Sequence, residues 1–102
     1  MVSSYDYKVV DMEMLDVAGP MALTAAYITS RIKGARINVQ DDAIRATWDG
    51  STTPVSGTTG ELWQVNSTHT VMGKTNLENL QFARETSTAK ICVSYLAYDD
   101  IV

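Results

Sequence analysis

The strictest constraint in this chain is a period of two. Ala35, Ile37 and Val39 alternate with Arg36, Asn38 and Gln40, and Ile44, Ala46 and Trp48 alternate with Arg45, Thr47 and Asp49. In "TAKICVSYLAY" the residues Ala89, Ile91, Val93, Tyr95 and Ala97 fall on one face, opposite Lys90, Cys92, Ser94, Leu96 and Tyr98. A helix would scatter each set around its axis, whereas a strand puts each on one side. The last segment predicts a strand with one side in the core and the other partly covered. The fold class this supports is mainly β, a small antiparallel β-sandwich or barrel with an extended N-terminal arm. Asp41-Asp42, between two alternating runs, reads as the turn of a β-hairpin, because Asp tolerates turn geometry and bonds its own backbone.

The other segments are less regular. "ELWQVNSTHTVMG" predicts two short strands around a turn at Asn66-Ser67. "NLENLQFARE" predicts a short turn leading into a strand. "MALTAAYITSRIKG" has a helical spacing at Leu23, Tyr27 and Ile28 and a capping Gly34, but its β-branched and aromatic residues favour a strand or irregular loop. At the start, Tyr5, Tyr7 and Val9 oppose Asp6, Lys8 and Val10, and Met12, Met14 and Asp16 continue on one side. Pro20 then breaks the pattern. The expected organisation is an extended arm over residues 1–20 and a compact β domain over residues 21–102.

A chain of 102 residues fits one domain, with 45% hydrophobic and 20% charged residues, a globular rather than a disordered profile. Its net charge of −4 and scattered basic residues argue against a nucleic-acid partner, since phosphate binding needs clustered Lys and Arg. No apolar run approaches the ~20 residues of a membrane span, and the acidic N-terminus does not resemble a secretory signal, so synthesis in the cytoplasm and no membrane partner are expected. The single cysteine, Cys92, reads as a small packing residue.

Little in the sequence points to chemistry. His69 is the only histidine, which excludes the common zinc sites within one chain. Asp41, Asp42 and Asp49 lack the ligand spacing of a calcium loop. "GTTGE" has no Lys-Ser/Thr after it, unlike a phosphate loop. The sequon at Asn66 reads as a polar turn. No cofactor, metal site or catalytic group is expected, and the chain does not read as an enzyme.

The two tryptophans, Trp48 and Trp63, flank a Gly/Ser/Thr/Pro-rich stretch, Ser51 to Gly60, expected to be a flexible connection. Aromatic rings beside an Asp raise a carbohydrate-binding module as a reading of another class. The alternation places Trp48 on the core face with Ile44 and Ala46, and leaves Trp63 open to a role at a surface.

The order of "ARINVQ", "IRATWDG", "TTP", "GTTGELW", "NLENLQFARE" and "TAKICVSY" resembles a group of small tailed-bacteriophage and prophage virion proteins. The features that carry the resemblance are Arg45, Asp49-Gly50, Thr53-Pro54, Gly60, Leu62, Leu80, Phe82, Val93 and Tyr95. It covers Ala35 to Tyr95, while Trp48 before the Asp-Gly and the spacing of "STTPVSG" depart from it. It implies a virion structural protein, first a capsid decoration or cement protein that binds and stabilises the shell, with a tail, neck or host-adhesion component as the alternative. The expected partners are capsid or other virion proteins and further copies of the chain in a homo-oligomer. The expected location is the virion, after synthesis in the host bacterial cytoplasm. Candidate interface residues are Tyr5, Tyr7, Met12, Met14 and Leu15 in the arm, together with Pro54 and Trp63, because aromatics and Met are enriched at interfaces.

Overall fold

The structure, a computed structural model, describes residues 6–99. Among them, strands β1 (Tyr7–Val17), β2 (Met21–Ala22), β3 (Gly34–Gln40), β4 (Ile44–Thr47) and β5 (Glu61–Trp63) lead to β6 (Thr68–Met72), β7 (Gln81–Arg84) and β8 (Ala89–Tyr98). A 3-10 turn at Ala25–Tyr27 follows β2, and a short helix α1 (Lys74–Asn79) precedes β7. The strands form two four-stranded sheets, ordered β1-β8-β3-β6 and β2-β7-β4-β5, with every pairing antiparallel. The fold is the expected mainly β sandwich. Ile37, Val39, Ile91, Val93 and Tyr95 of the first sheet meet Ile44, Ala46, Trp63 and Phe82 of the second in one buried core.

The expected hairpin at Asp41-Asp42 is instead a corner between the sheets. β3 belongs to the first sheet and β4 to the second. Both runs alternate because both bury one face, and periodicity records the buried side of a strand without recording which strand lies beside it. Asp41 takes a left-handed backbone (φ 70°), which turns the chain out of the first sheet. The Asp42 carboxylate fixes the corner by accepting hydrogen bonds from the Ala43 amide at 2.8 Å and from the Ser87 amide and hydroxyl at 2.8 and 2.7 Å. β5 and β6, read as strands about one turn, likewise lie in different sheets.

The segment expected as an arm contains β1, an edge strand that pairs with β8 from Tyr7↔Tyr98 to Val17↔Ala89. Residues 1–5, including Tyr5, lie outside the described residues. A division at residue 20 therefore separates no domain among the described residues, since β1 shares a sheet with β3, β6 and β8 and buries Val17 completely. The register shifts between Val9 and Asp11, leaving Val10 as an extra residue. That bulge resolves a feature of the sequence: the apolar residues change parity between Val9 and Met12. One inserted residue lets Tyr7, Val9, Met12 and Met14 all point to the same side.

The Ser51 to Gly60 stretch is a tied cover on the outer face of the second sheet. Asp49 starts it, accepting from the Ser51 and Thr52 amides at 3.1 and 2.8 Å and from the Thr52 hydroxyl at 2.5 Å. These bonds, the Thr52 hydroxyl first, hold the Asp49 carboxyl down at about 2. Pro54 is fully buried. Farther along, Glu85 accepts from the Gly57 amide, and its carbonyl accepts from the Ser56 hydroxyl. The same Glu85 carboxylate pairs with Arg45 at 2.8 Å, and Arg45 donates to the Gly60 carbonyl at 3.2 Å. Gly60 has φ 107°, and a Cβ there would sit 3.1 Å from the Ala46 carbonyl oxygen, so the return to β5 requires glycine.

Both flanks of the sandwich are closed by side chains. On one, Tyr27 stacks on Tyr95 with ring centres 5.2 Å apart, and Glu13 of β1 accepts from the Tyr95 hydroxyl and, at 2.6 Å, from the Thr24 hydroxyl. Burial, then the adjacent Glu13, push the Tyr95 phenol up. On the other flank Trp63 stacks on His69 at 4.1 Å and meets Phe82 edge-on at 5.8 Å, bridging β5 and β6 of opposite sheets. As expected, residues 21–34 form no α-helix and β7 is a strand, but the turn expected before it is a short α-helix, Lys74–Asn79.

Candidate functional site

The two outer faces are unequal. The second sheet is covered by the chain's own Ser51 to Gly60 stretch, while the outer face of the first carries no further layer among the described residues. The registers of β1, β8, β3 and β6 set out that bare face row by row. Tyr7 sits opposite Tyr98, with ring centres 5.5 Å apart. Next comes Val9 beside Leu96, then Gly34 and Met72; a Cβ at Gly34 would meet the Met72 sulfur at 2.4 Å, so the glycine lets the Met72 side chain lie flat across β3. The rows Met12, Ser94, Arg36, Thr70 and Met14, Cys92, Asn38, Thr68 follow, and Asp16 closes the face in an ion pair with Lys90 at 3.0 Å. Hydrogen bonding to Asp16 raises the Lys90 amine above its ordinary value.

The apolar side chains gather along β1 and over Leu96 and Tyr98 of β8, joined by Met72 of β6, and the polar ones over the rest of β3 and β6, where Asn38 donates to the Thr68 hydroxyl at 3.1 Å and Gln40 to Asn38 at 2.9 Å. Tyr7, Val9, Met12 and Met14 are 44, 42, 58 and 51% exposed. Single exposed apolar residues are ordinary, but a contiguous band of them marks an interaction surface. β1 is also the longest edge strand, and half of the backbone groups of an edge strand face away from its only neighbour. Polar edge residues Lys8, Asp11, Glu13 and Asp16 limit nonspecific pairing there.

Of the residues read from the sequence as interface candidates, Tyr7, Met12 and Met14 come together on this face. Leu15 does not: it is half-buried against the core, on the opposite side of β1. Trp63 and Pro54 are corrected outright, because both are buried and offer no surface to a partner. Trp63 sits opposite Ile44 in register, which places it on the core face of its sheet. Val9, Leu96 and Met72 were missed by the sequence reading. Val9 lay in the alternating arm and carried a signal, but Met72 reaches the band only through a pairing across β3.

Among the described residues no group of three or more His, Cys, Asp or Glu is arranged to hold a metal ion, and no helix is long and apolar enough to cross a membrane. Cys92 is half-buried in the row of Met14. His69 lies against Trp63 and within 2.9 Å of the Ser67 hydroxyl, in a packing position.

Comparison with family models, with curated proteins and with solved structures returns no match. Most of the residues that carry the resemblance to phage virion proteins do structural work in this fold, Leu62, which is exposed, being the exception. Asp49 ties the cover, Pro54 is the buried residue within it, Gly60 makes the close return, and Leu80, Phe82, Val93 and Tyr95 fill the core. They account for the shape of the module, and the apolar band lies outside them.

Proposed function

We propose that this chain is a non-enzymatic structural protein of a tailed-bacteriophage virion, a decoration or cement protein that docks on the capsid shell through the bare face of its first sheet. The observation that carries the docking reading is the contiguous band of Tyr7, Val9, Met12, Met14 and Leu96 beside the open edge of β1. The ordered sequence motifs support the virion class. A protein that works by covering another needs an apolar contact surface rather than a catalytic group, and repetition on a symmetric lattice turns a modest single contact into firm attachment.

Quantitative mass spectrometry of purified particles from cells that make this protein tests both parts. A cement protein is present in hundreds of copies on the order of the shell subunits, as lattice avidity requires. A count of tens or fewer moves the protein to the tail or neck, and its absence from particles overturns the virion reading. The double variant Met12→Lys/Met14→Lys changes only exposed side chains, which ordinarily costs stability less than about 0.5 kcal/mol each. It is expected to fold and to be lost from particles; retention at full copy number overturns the docking face.

A further inference from the structure

A second site lies on the other sheet, at the ends of β4 and β5. A cleft of about 290 Å³ opens there between Ala46, Trp48, Asp49, Thr52 and Glu61. Trp48 rests part of its ring system against the core, 6.0 Å from Trp63, and lines the cleft with the rest. Two carboxylates line the cleft and no Lys, Arg or His does.

The hydrogen bonds around the cleft define the guest it can take. The Thr47 hydroxyl donates to the Thr52 carbonyl at 2.6 Å, the Thr52 hydroxyl donates to Asp49, and the Trp63 indole donates to Glu61 at 2.8 Å. The Thr47 and Thr52 hydroxyls and the Trp63 indole N–H are therefore spent on partners within the protein. What faces the opening is an aromatic surface and carboxylate charge. Both Asp49 oxygens are engaged by Ser51 and Thr52, so Asp49 contributes charge, whereas Glu61 is exposed and has one oxygen beyond its Trp63 bond. A sugar needs donors as well as acceptors around its hydroxyls. A group that donates, carries positive charge and has a flat face suits an aromatic ring flanked by two carboxylates.

We propose that the Trp48 cleft receives an arginine side chain of a protein partner, its guanidinium stacked on Trp48 and donating to Glu61. Guanidinium fits better than ammonium because it is planar, stacks on indole and can still donate from its edge to the remaining Glu61 oxygen. Asp49 adds long-range attraction and remains ionised at any neutral pH. The site is independent of the band on the first sheet, so failure of one leaves the other standing.

The test is a titration of the ¹⁵N-labelled full chain with the peptide acetyl-Gly-Arg-Gly-amide, following the Trp48 indole N–H, with the citrulline peptide as the neutral isostere. The arginine peptide is expected to give saturable shifts centred on Trp48 and Glu61, with the citrulline peptide at least fivefold weaker. Glu61→Gln keeps an acceptor for the Trp63 indole while removing the charge, and should weaken binding roughly two- to fivefold, the scale of an exposed ion pair. Trp48→Leu should weaken it by a similar factor, the scale of an exposed cation–π contact. Equal affinity for the two peptides, or no effect of Glu61→Gln, overturns the proposal, as does saturable binding of neutral sugars without arginine binding. Because Glu61→Gln alters an exposed side chain, its result stands even where Trp48→Leu is unstable.

Discussion

Replacing each tryptophan in turn separates the two roles that the fold gives them. Trp63 is about 1% exposed and touches His69, Trp48 and Phe82, so Trp63→Ala opens a large hole at the seam between the sheets. Deleting a buried aromatic ring costs about 3–5 kcal/mol, the lost transfer energy plus the cavity that the neighbours fail to fill. The substitution also leaves Glu61 without its indole donor, a small addition because that carboxylate is solvated. Trp48 is half-buried, so Trp48→Ala removes about half of that burial and costs about 1–2 kcal/mol. Against a total stability of about 5–15 kcal/mol, the first variant is left marginal and the second is not. At roughly 4–8 °C per kcal/mol for a domain of this size, Trp63→Ala should melt on the order of 12–40 °C below the parent. Urea unfolding followed by far-ultraviolet circular dichroism measures both losses, and the tryptophan that remains in each variant reports its own surroundings by fluorescence. Emission from Trp63 alone should lie to the blue of emission from Trp48 alone. Equal losses for the two variants, or less than about 1 kcal/mol for Trp63→Ala, would refute the assignment of Trp63 to the core.

Acid should weaken the cover of the second sheet and the corner held by Asp42. Asp49 is held down from 3.8 to about 2 by Thr52 and Ser51, Asp42 is lowered chiefly by the Ser87 hydroxyl, and Glu85 chiefly by Arg45. A carboxylate whose folded pKa is depressed stabilises the fold above its unfolded value and loses that contribution as pH falls through its folded value. The stability advantage of the parent over Asp49→Asn is therefore expected to shrink between about pH 4 and pH 2, read from urea midpoints at several pH values; a constant difference down to pH 2 contradicts the role of Asp49. Removing residues 1–17 should unfold the protein rather than release a spare arm, because it strips the whole partner of one side of β8 and exposes the surface beneath Val17 and Leu15. A truncated chain with cooperative unfolding and dispersed amide resonances would show that β1 is dispensable.

The sequence by itself determined the class of fold and the buried side of most strands. Ile37, Val39, Ile44, Ala46, Ile91, Val93 and Tyr95 all lie where period-two alternation puts them, because hydrophobic burial acts on each side chain wherever its strand goes. It also pointed to Tyr7, Met12 and Met14 as surface apolar residues, an excess that no local structure absorbs. Only the tertiary structure decided which strands are neighbours. β3 and β4 have the pattern of a hairpin yet lie in opposite sheets, since the same alternation satisfies either arrangement. The tryptophans were settled for the same reason: β4 ends at Thr47, so Trp48, expected on the core face, packs against the core only in part, while pairing with Ile44 carries Trp63, which the pattern left open, fully inward. The Ser51 to Gly60 stretch looked free because Glu85, which holds its middle at Ser56 and Gly57, is distant in sequence. The bulge at Val10 and the flat lie of Met72 over Gly34 likewise depend on the register of β1 and β6 against their neighbours. Local pattern records which side of a strand avoids water; contact between distant segments decides what each side meets.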